Sequence, residues 1–98
     1  MTIKKELNGT ALNIAVEGRL DTTTAPELEK ELSASMGAAT ELTLDFAQLD
    51  YISSAGLRVL LSAHKTMSKK GGMKVVHVNE LVMEVFDVTG FVDILDIE

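Results

Sequence analysis

The stretch that decides the fold runs from Tyr51 to Leu57 and reads Tyr-Ile-Ser-Ser-Ala-Gly-Leu. It places two hydroxyl groups and a glycine between an extended run and a helical run. Upstream, apolar residues alternate over 41–46, which predicts a strand with one buried face. Downstream, the spacing of the apolar residues lengthens to the period of a helix. Ser53 or Ser54 is therefore the predicted N-cap of that helix.

The predicted helix runs from about Ala55 to Lys70, and Gly71-Gly72 ends it. A helix start presents unpaired backbone N–H groups and the positive end of the helix dipole, so a phosphoryl group on a serine there would find hydrogen-bond donors in place. One side of the helix is apolar and the other is basic. The basic stripe is interpreted as a solvated face, with a docking patch for an acidic partner as the alternative; it consists of Arg58, Ser62, Lys65 and Lys69.

Composition excludes several classes of function. The 98 residues fit one domain, 1–98, and carry a formal net charge of -6, which argues against nucleic acid and anionic membranes as partners. There is no cysteine and no long apolar run, so we expect a cytoplasmic protein without disulfides. We expect no cofactor and no metal, and a monomer when the protein is free.

The order of elements predicts an α/β sandwich. Ile3–Leu7 and Ala11–Gly18 alternate around Asn8-Gly9-Thr10, which indicates an antiparallel hairpin. Thr24 and Glu27 match a capping box that opens a helix reaching about Met36. Strands and helices then alternate, which favours a mixed sheet with the helices packed mainly on one face.

The last third of the chain contains one clear strand and one clear helix. The strand spans 73–78, and the helix spans 80–88 with Asn79 as its cap and Gly90 as its end. This helix is apolar over most of its circumference, so it is either buried on two sides or exposes a contact patch. The segment 91–97 fits a last strand or a last turn of helix equally well.

Three polar side chains should meet at the carboxyl ends of the strands, where open α/β sheets place their sites. They are Asp21, Asp45 and Ser54. Each also has a structural interpretation, because Ser54 could be an ordinary N-cap and the two aspartates could cap turns. His64 and His77 are interpreted as structural residues.

The chain resembles a STAS domain of the anti-sigma-factor antagonist type. The resemblance rests on Glu17–Asp21 with the following Thr22–Ala25, on Leu42–Phe46 with Leu49, and on Tyr51–Leu57. The resemblance assigns the family's phosphorylated serine, two positions before the glycine, to Ser54. Ser53 supplies a second hydroxyl and is the rival acceptor.

The resemblance implies a protein switch without catalysis of its own. The unphosphorylated form would bind an anti-sigma factor that is also a serine kinase, and phosphorylation of Ser54 would end that binding. A serine phosphatase would then reset the protein. The residues expected to face the partner are Asp21, Thr22, Thr23, Asp45, Tyr51, Ser53, Ser54, Ala55, Gly56, Leu57 and Arg58.

Three alternative functions differ in how well the sequence supports them. An enzyme is disfavoured because the chain lacks a Gly-x-Ser-x-Gly elbow, a His-Glu-x-x-His helix and a phosphate-binding loop. A receiver domain is disfavoured because the chain opens with a hairpin and is too short for five strand-helix repeats. A STAS module that is never phosphorylated, acting as an interaction subunit of a transport or stress-signalling assembly, stays open as the alternative.

Overall fold

A computed structural model describes residues 1–98 and shows a mixed α/β fold. Two short 3-10 turns, at Met36–Ala38 and Phe91–Asp93, supplement six strands and three helices. In chain order these are β1 (Thr2–Asn8), β2 (Ala11–Leu20), α1 (Ala25–Ser35), β3 (Glu41–Asp45), β4 (Leu49–Ile52), α2 (Ser54–Met67), β5 (Met73–Val76), α3 (Glu80–Thr89) and β6 (Asp96–Ile97).

The sheet opens with the predicted hairpin and continues with parallel strands. Its order is β1-β2-β3-β5-β6, in which β1 and β2 are antiparallel and the pairs β2–β3, β3–β5 and β5–β6 are parallel. Asn8 pairs with Ala11, so Gly9 and Thr10 form the turn, and Gly9 adopts a φ of +65° that favours glycine. The predicted mixed sheet is confirmed.

The strand β4 was not predicted from the sequence. The strand β2 is ten residues long, and β3 pairs with its first half while β4 pairs in parallel with Gly18–Leu20. A register shift between Gly18 and Arg19 accompanies this change of partner. The buried residues of β4, Leu49 and Ile52, stand three positions apart, so the strand lacks the alternation by which strands are recognised.

All three helices pack on one face of the sheet. Alternate strand residues point into a single core, and each helix adds residues to the same cluster. The other alternating set, which includes Asn13, Thr43 and Lys74, is exposed or half-buried and leaves the second face of the sheet open. The predicted placement of the helices is confirmed. The helical part of the core includes Leu28, Leu32, Leu60, Met67, Val82 and Phe86.

The start of α1 differs from the predicted capping box. Thr24 occupies the N-cap position, but its backbone is helical (φ −101°, ψ −23°) and its side chain makes no cap hydrogen bond. Its hydroxyl instead donates to the carbonyl of Arg19 at 2.7 Å and accepts from the N–H of Asp21 at 2.8 Å. The capping box is wrong because this hydroxyl closes the preceding turn.

The third helix follows its predicted caps. Asn79 accepts a hydrogen bond from the N–H of Val82 at 2.8 Å, and Gly90 ends the helix in the left-handed conformation at φ +81°. Leu81 and Val88 are exposed, so of the two interpretations of this apolar helix the structure shows the exposed patch. The segment 91–97 contains a 3-10 turn followed by the two-residue strand β6.

Candidate functional site

The start of α2 is anchored directly to the end of β2. The N–H of Ser53 donates to the carbonyl of Leu20 at 2.9 Å, and the carbonyl of Ser53 accepts the first helical bond from Leu57 at 3.0 Å. Ser53 has extended dihedral angles (φ −103°, ψ 177°) and is the N-cap, so Ser54 is the first residue of the helix. Of the two predicted N-cap candidates, the structure selects Ser53.

The two adjacent serine hydroxyls lie in opposite environments. Ser54 is exposed. The Oγ atom of Ser53 is buried and has no hydrogen-bond partner in the protein, and it does not cap the helix. Of these two serines, only Ser54 is therefore available at the surface to another protein.

Gly56 lets α2 approach the sheet closely. A Cβ atom at this position would lie 2.7 Å from Leu20 Cγ and 2.9 Å from Ile52 Cγ1, and both distances are shorter than van der Waals contact. Gly56 is buried, and its neighbour Leu57 is only 6% exposed. The glycine thus fixes the position of the helix start that presents Ser54.

The turn between β2 and α1 is organised by a carboxylate. Asp21 Oδ1 accepts from the Thr23 hydroxyl at 2.8 Å and from the N–H groups of Thr23 and Thr24 at 3.0 and 3.2 Å. The Thr23 hydroxyl, with help from these N–H groups, lowers the pKa of Asp21 below its usual range. Asp21 therefore serves as an ionised capping group, and Thr22 and Thr23 are exposed beside it.

The β2–α1 turn and the start of α2 face each other. They share a shallow cavity of about 200 Å³, and Arg58 and Ala55 from α2 line it together with Thr22 from the turn. Pro26 and Glu29 of α1 complete the facing wall. The cavity thus brings together Thr22, Ala55 and Arg58 of the residues predicted to face a partner. Gly56 and Leu57 of the same set are buried.

Arg19 also belongs to this region, although the sequence analysis did not select it. Its guanidinium lies 4.4 Å from the centroid of the Tyr51 ring, and its Nε lies 3.7 Å from Asp21 Oδ2. Arg19 and Tyr51 are cross-strand partners on β2 and β4. Recognising this pair from the sequence would have required recognising β4.

Asp45 lies elsewhere on the sheet. It pairs with Ala15 of β2, five residues before Leu20, which corresponds to about 16 Å along the strand. Its Oδ1 atom accepts from the N–H of Ala47 at 2.9 Å and lies 2.9 Å from His77 Nδ1. The Ala47 N–H and then His77 lower the pKa of Asp45. The structure does not bring its carboxylate to the serines.

The Asp45–His77 pair lines a groove of about 420 Å³ on the open face of the sheet. His77 adopts a φ of +58°, which explains why β5 ends at Val76 and does not continue to the predicted residue 78. The structure contains no group of three histidine, cysteine or acidic side chains placed to hold a metal ion. None of its helices has both the length and the apolar character needed to cross a membrane.

The sequence model of the STAS domain matches residues 2–98. The chain therefore belongs to the STAS domain family, and the predicted family is confirmed.

Two curated relatives that match nearly the whole chain are named anti-sigma-B factor antagonists. The anti-sigma-B factor antagonist of Bacillus subtilis is 32% identical over 96 residues, which cover 97% of this chain and 86% of the relative. The anti-sigma-B factor antagonist of Listeria monocytogenes is 27% identical over 96 residues, which cover 96% of this chain and 84% of the relative.

Solved structures share the fold over nearly the whole chain. An anti-sigma factor antagonist from Mycobacterium paratuberculosis has a TM-score of 0.89 at 24% identity, with 98% of this chain and 83% of that chain covered. The Bacillus protein SpoIIAA in its phosphorylated form has a TM-score of 0.76 at 18% identity, with 99% of this chain and 91% of that chain covered. These similarities confirm the predicted fold class.

Proposed function

We propose that this protein is an anti-sigma-factor antagonist that is switched by phosphorylation of Ser54. In its unphosphorylated form it binds an anti-sigma factor with serine kinase activity, so that the sigma factor is released. The names of its curated relatives support the antagonist role. The observation that carries the switch is the exposed hydroxyl of Ser54 at the first position of α2.

The burial of the two hydroxyls supports Ser54 over Ser53 as the acceptor. A kinase must bring the γ-phosphate of ATP in line with the attacking oxygen, which requires an accessible hydroxyl. Ser54 meets this requirement, whereas the Oγ atom of Ser53 is buried. Phosphorylation of Ser53 would first require its hydroxyl to leave this buried position.

The partner-facing surface consists of the start of α2 and the β2–α1 turn. A phosphoserine adds about 1.5 to 2 negative charges at neutral pH, and a charge of that size is costly in an interface that was built around a neutral hydroxyl. Phosphorylation therefore weakens the complex. A serine phosphatase restores the hydroxyl and the binding-competent form.

In this proposal the chain supplies an acceptor and a binding surface and no catalytic group. The kinase brings ATP and magnesium, and the chain requires no cofactor. The protein acts in the cytoplasm, where sigma factors meet RNA polymerase, and it is a monomer when free. Asp45, distant from Ser54, remains a proposed partner contact at the margin of the surface.

Site mapping after incubation with the cognate kinase and ATP tests the acceptor. We expect the intact mass to rise by one phosphoryl group and the modification to map to Ser54. Ser54→Ala should abolish it, whereas Ser53→Ala and the control Ser62→Ala, an exposed serine on the same helix, should keep it. If Ser54→Ala is still modified and Ser53→Ala is not, the assignment is wrong by one residue. If the unmutated protein accepts no phosphate, the STAS module without phosphorylation is the better interpretation.

A further inference from the structure

Arg58 lies one helical turn after Ser54 on the exposed side of α2. Both residues are exposed, and side chains four positions apart on a helix have Cβ atoms about 5 to 6 Å apart. The ion pairs of the structure involve other basic groups, and Arg58 has no carboxylate within 4.0 Å. Its guanidinium is thus an unpaired cation next to the exposed hydroxyl.

We propose that Arg58 binds the phosphoryl group of phosphorylated Ser54 within the same molecule. This inference rests on the proposed phosphorylation of Ser54. The pair fixes the phosphate against the side of α2 and, in the same step, neutralises a cation on the partner-facing surface.

The order of the two residues along the helix favours the pair. Ion pairs four residues apart are more stable when the acidic member is nearer the helix N-terminus, which is the arrangement of phosphoserine 54 and Arg58. The planar guanidinium can also donate two parallel hydrogen bonds to a phosphate. A phosphate on Ser54 therefore has a matching donor within reach on its own helix.

No neighbouring charged group pairs with Arg58 or could take its place beside Ser54. Glu29 of α1 lines the same cavity, but its carboxylate forms no ion pair with Arg58 and carries a single charge. Arg19 is already held by Tyr51 and Asp21. Lys65 lies seven residues beyond Arg58, which corresponds to about 10 Å along the helix axis, so it is too distant to replace it.

The test uses protein with phosphoserine incorporated at position 54 during translation, so that no kinase is needed. Phosphorus-31 NMR follows the second ionisation of the phosphate as the pH is varied, for the protein with Arg58 intact, for Arg58→Gln and for Lys65→Gln. Because Arg58 favours the dianion, Arg58→Gln should raise the second pKa of the phosphate by about half a unit. Lys65→Gln removes the same charge from the same helix and should raise it by less than about 0.2 units.

A second measurement reports the pair through stability. The Tm values of the phosphorylated and unphosphorylated proteins are measured in parallel. Arg58→Gln should lower the Tm of the phosphorylated form, relative to that of the unphosphorylated form, by about 2 to 4 °C. Unphosphorylated Arg58→Gln should melt close to the unmutated protein, because Arg58 is exposed and unpaired. Equal pKa values in Arg58→Gln and Lys65→Gln would overturn the proposal. That outcome would leave the proposed function intact. The proposed function fails by a different result, namely that the kinase does not modify Ser54.

Discussion

The single residues that define the candidate site differ in how far the sequence revealed them. Tyr51–Leu57 was recognised as a strand-to-helix junction, and Ser54 was selected by the resemblance to STAS domains. The sequence could not tell which serine is the N-cap, because the two residues are of the same type and both positions are compatible with capping. The deciding fact is the hydrogen bond from the Ser53 N–H to Leu20, a contact between distant parts of the chain.

Gly56 provides a test of how tightly this junction is packed. Gly56→Ala inserts a methyl group 2.7 Å from Leu20 Cγ, so we expect a loss of about 1 to 3 kcal/mol from overpacking. This loss should exceed the gain of about 1 kcal/mol that alanine has over glycine in a helix. Urea unfolding of the purified variant measures the net effect.

Gly37→Ala is the matched control, because a Cβ atom at Gly37 meets nothing within 4 Å. We expect its free energy of unfolding to stay within about 0.5 kcal/mol of the unmutated protein. A Gly56→Ala protein as stable as Gly37→Ala would show that α2 can shift away from β2 without cost.

At the scale of elements, local signals predicted the helices and the long strands well. The starts and ends of α3 follow from Asn79 and Gly90, whose side-chain and backbone chemistry acts within a few residues. The strand β4 was missed because its existence depends on pairing with the far end of β2. The capping box at α1 failed for a related reason, since Thr24 bonds Arg19 and Asp21 in the preceding turn.

The turn before α1 gives a prediction about pH. The hydrogen bonds from Thr23 and Thr24 lower the pKa of Asp21 in the folded protein below its ordinary value of 3.8. A lowered folded pKa means that ionised Asp21 stabilises the fold above the unfolded pKa, and that this contribution is lost as the pH falls through the folded pKa. Asp21→Asn should therefore lower the urea midpoint at pH 7, and the gap should close as the pH is lowered past 3.8.

Asp50→Asn serves as the control, since Asp50 is exposed and takes part in none of the ion pairs of the structure. Its urea midpoint should track that of the unmutated protein at neutral pH. A gap for Asp21→Asn that stays constant down to pH 2 would mean that the shape of the residue matters and its charge does not.

At the scale of the whole molecule, the predicted layer arrangement agrees with the structure and the predicted convergence of polar groups agrees only in part. The carboxyl ends of β2 and β4 bring Asp21 and the serines together. Asp45 ends β3 earlier along β2, because β4 takes over as the neighbour of β2 beyond that point. The sequence therefore predicted that these side chains follow strand ends, and it could not show that β3 ends at a different height from β2 and β4.

Apart from Asp45 at its margin, the open face of the sheet lies outside the proposed partner-facing surface. It carries the Asp45–His77 pair and several lysines, and all three helices pack against the opposite face. The start of α2 and the β2–α1 turn lie together at one end of the molecule. A partner that binds there reads the modification state of Ser54 without contacting the rest of the sheet.

The affinity of the anti-sigma factor for the unmodified and phosphorylated protein, measured by titration calorimetry, tests the central claim most directly. Ser54→Ala should bind as tightly as the unmodified protein, because it removes an exposed hydroxyl that does not cap the helix. Phosphoserine at 54 should weaken binding more than tenfold, which corresponds to about 1.4 kcal/mol, and Ser54→Asp should weaken it less because it carries less charge. Equal affinities for the unmodified and phosphorylated proteins would contradict the proposed switch.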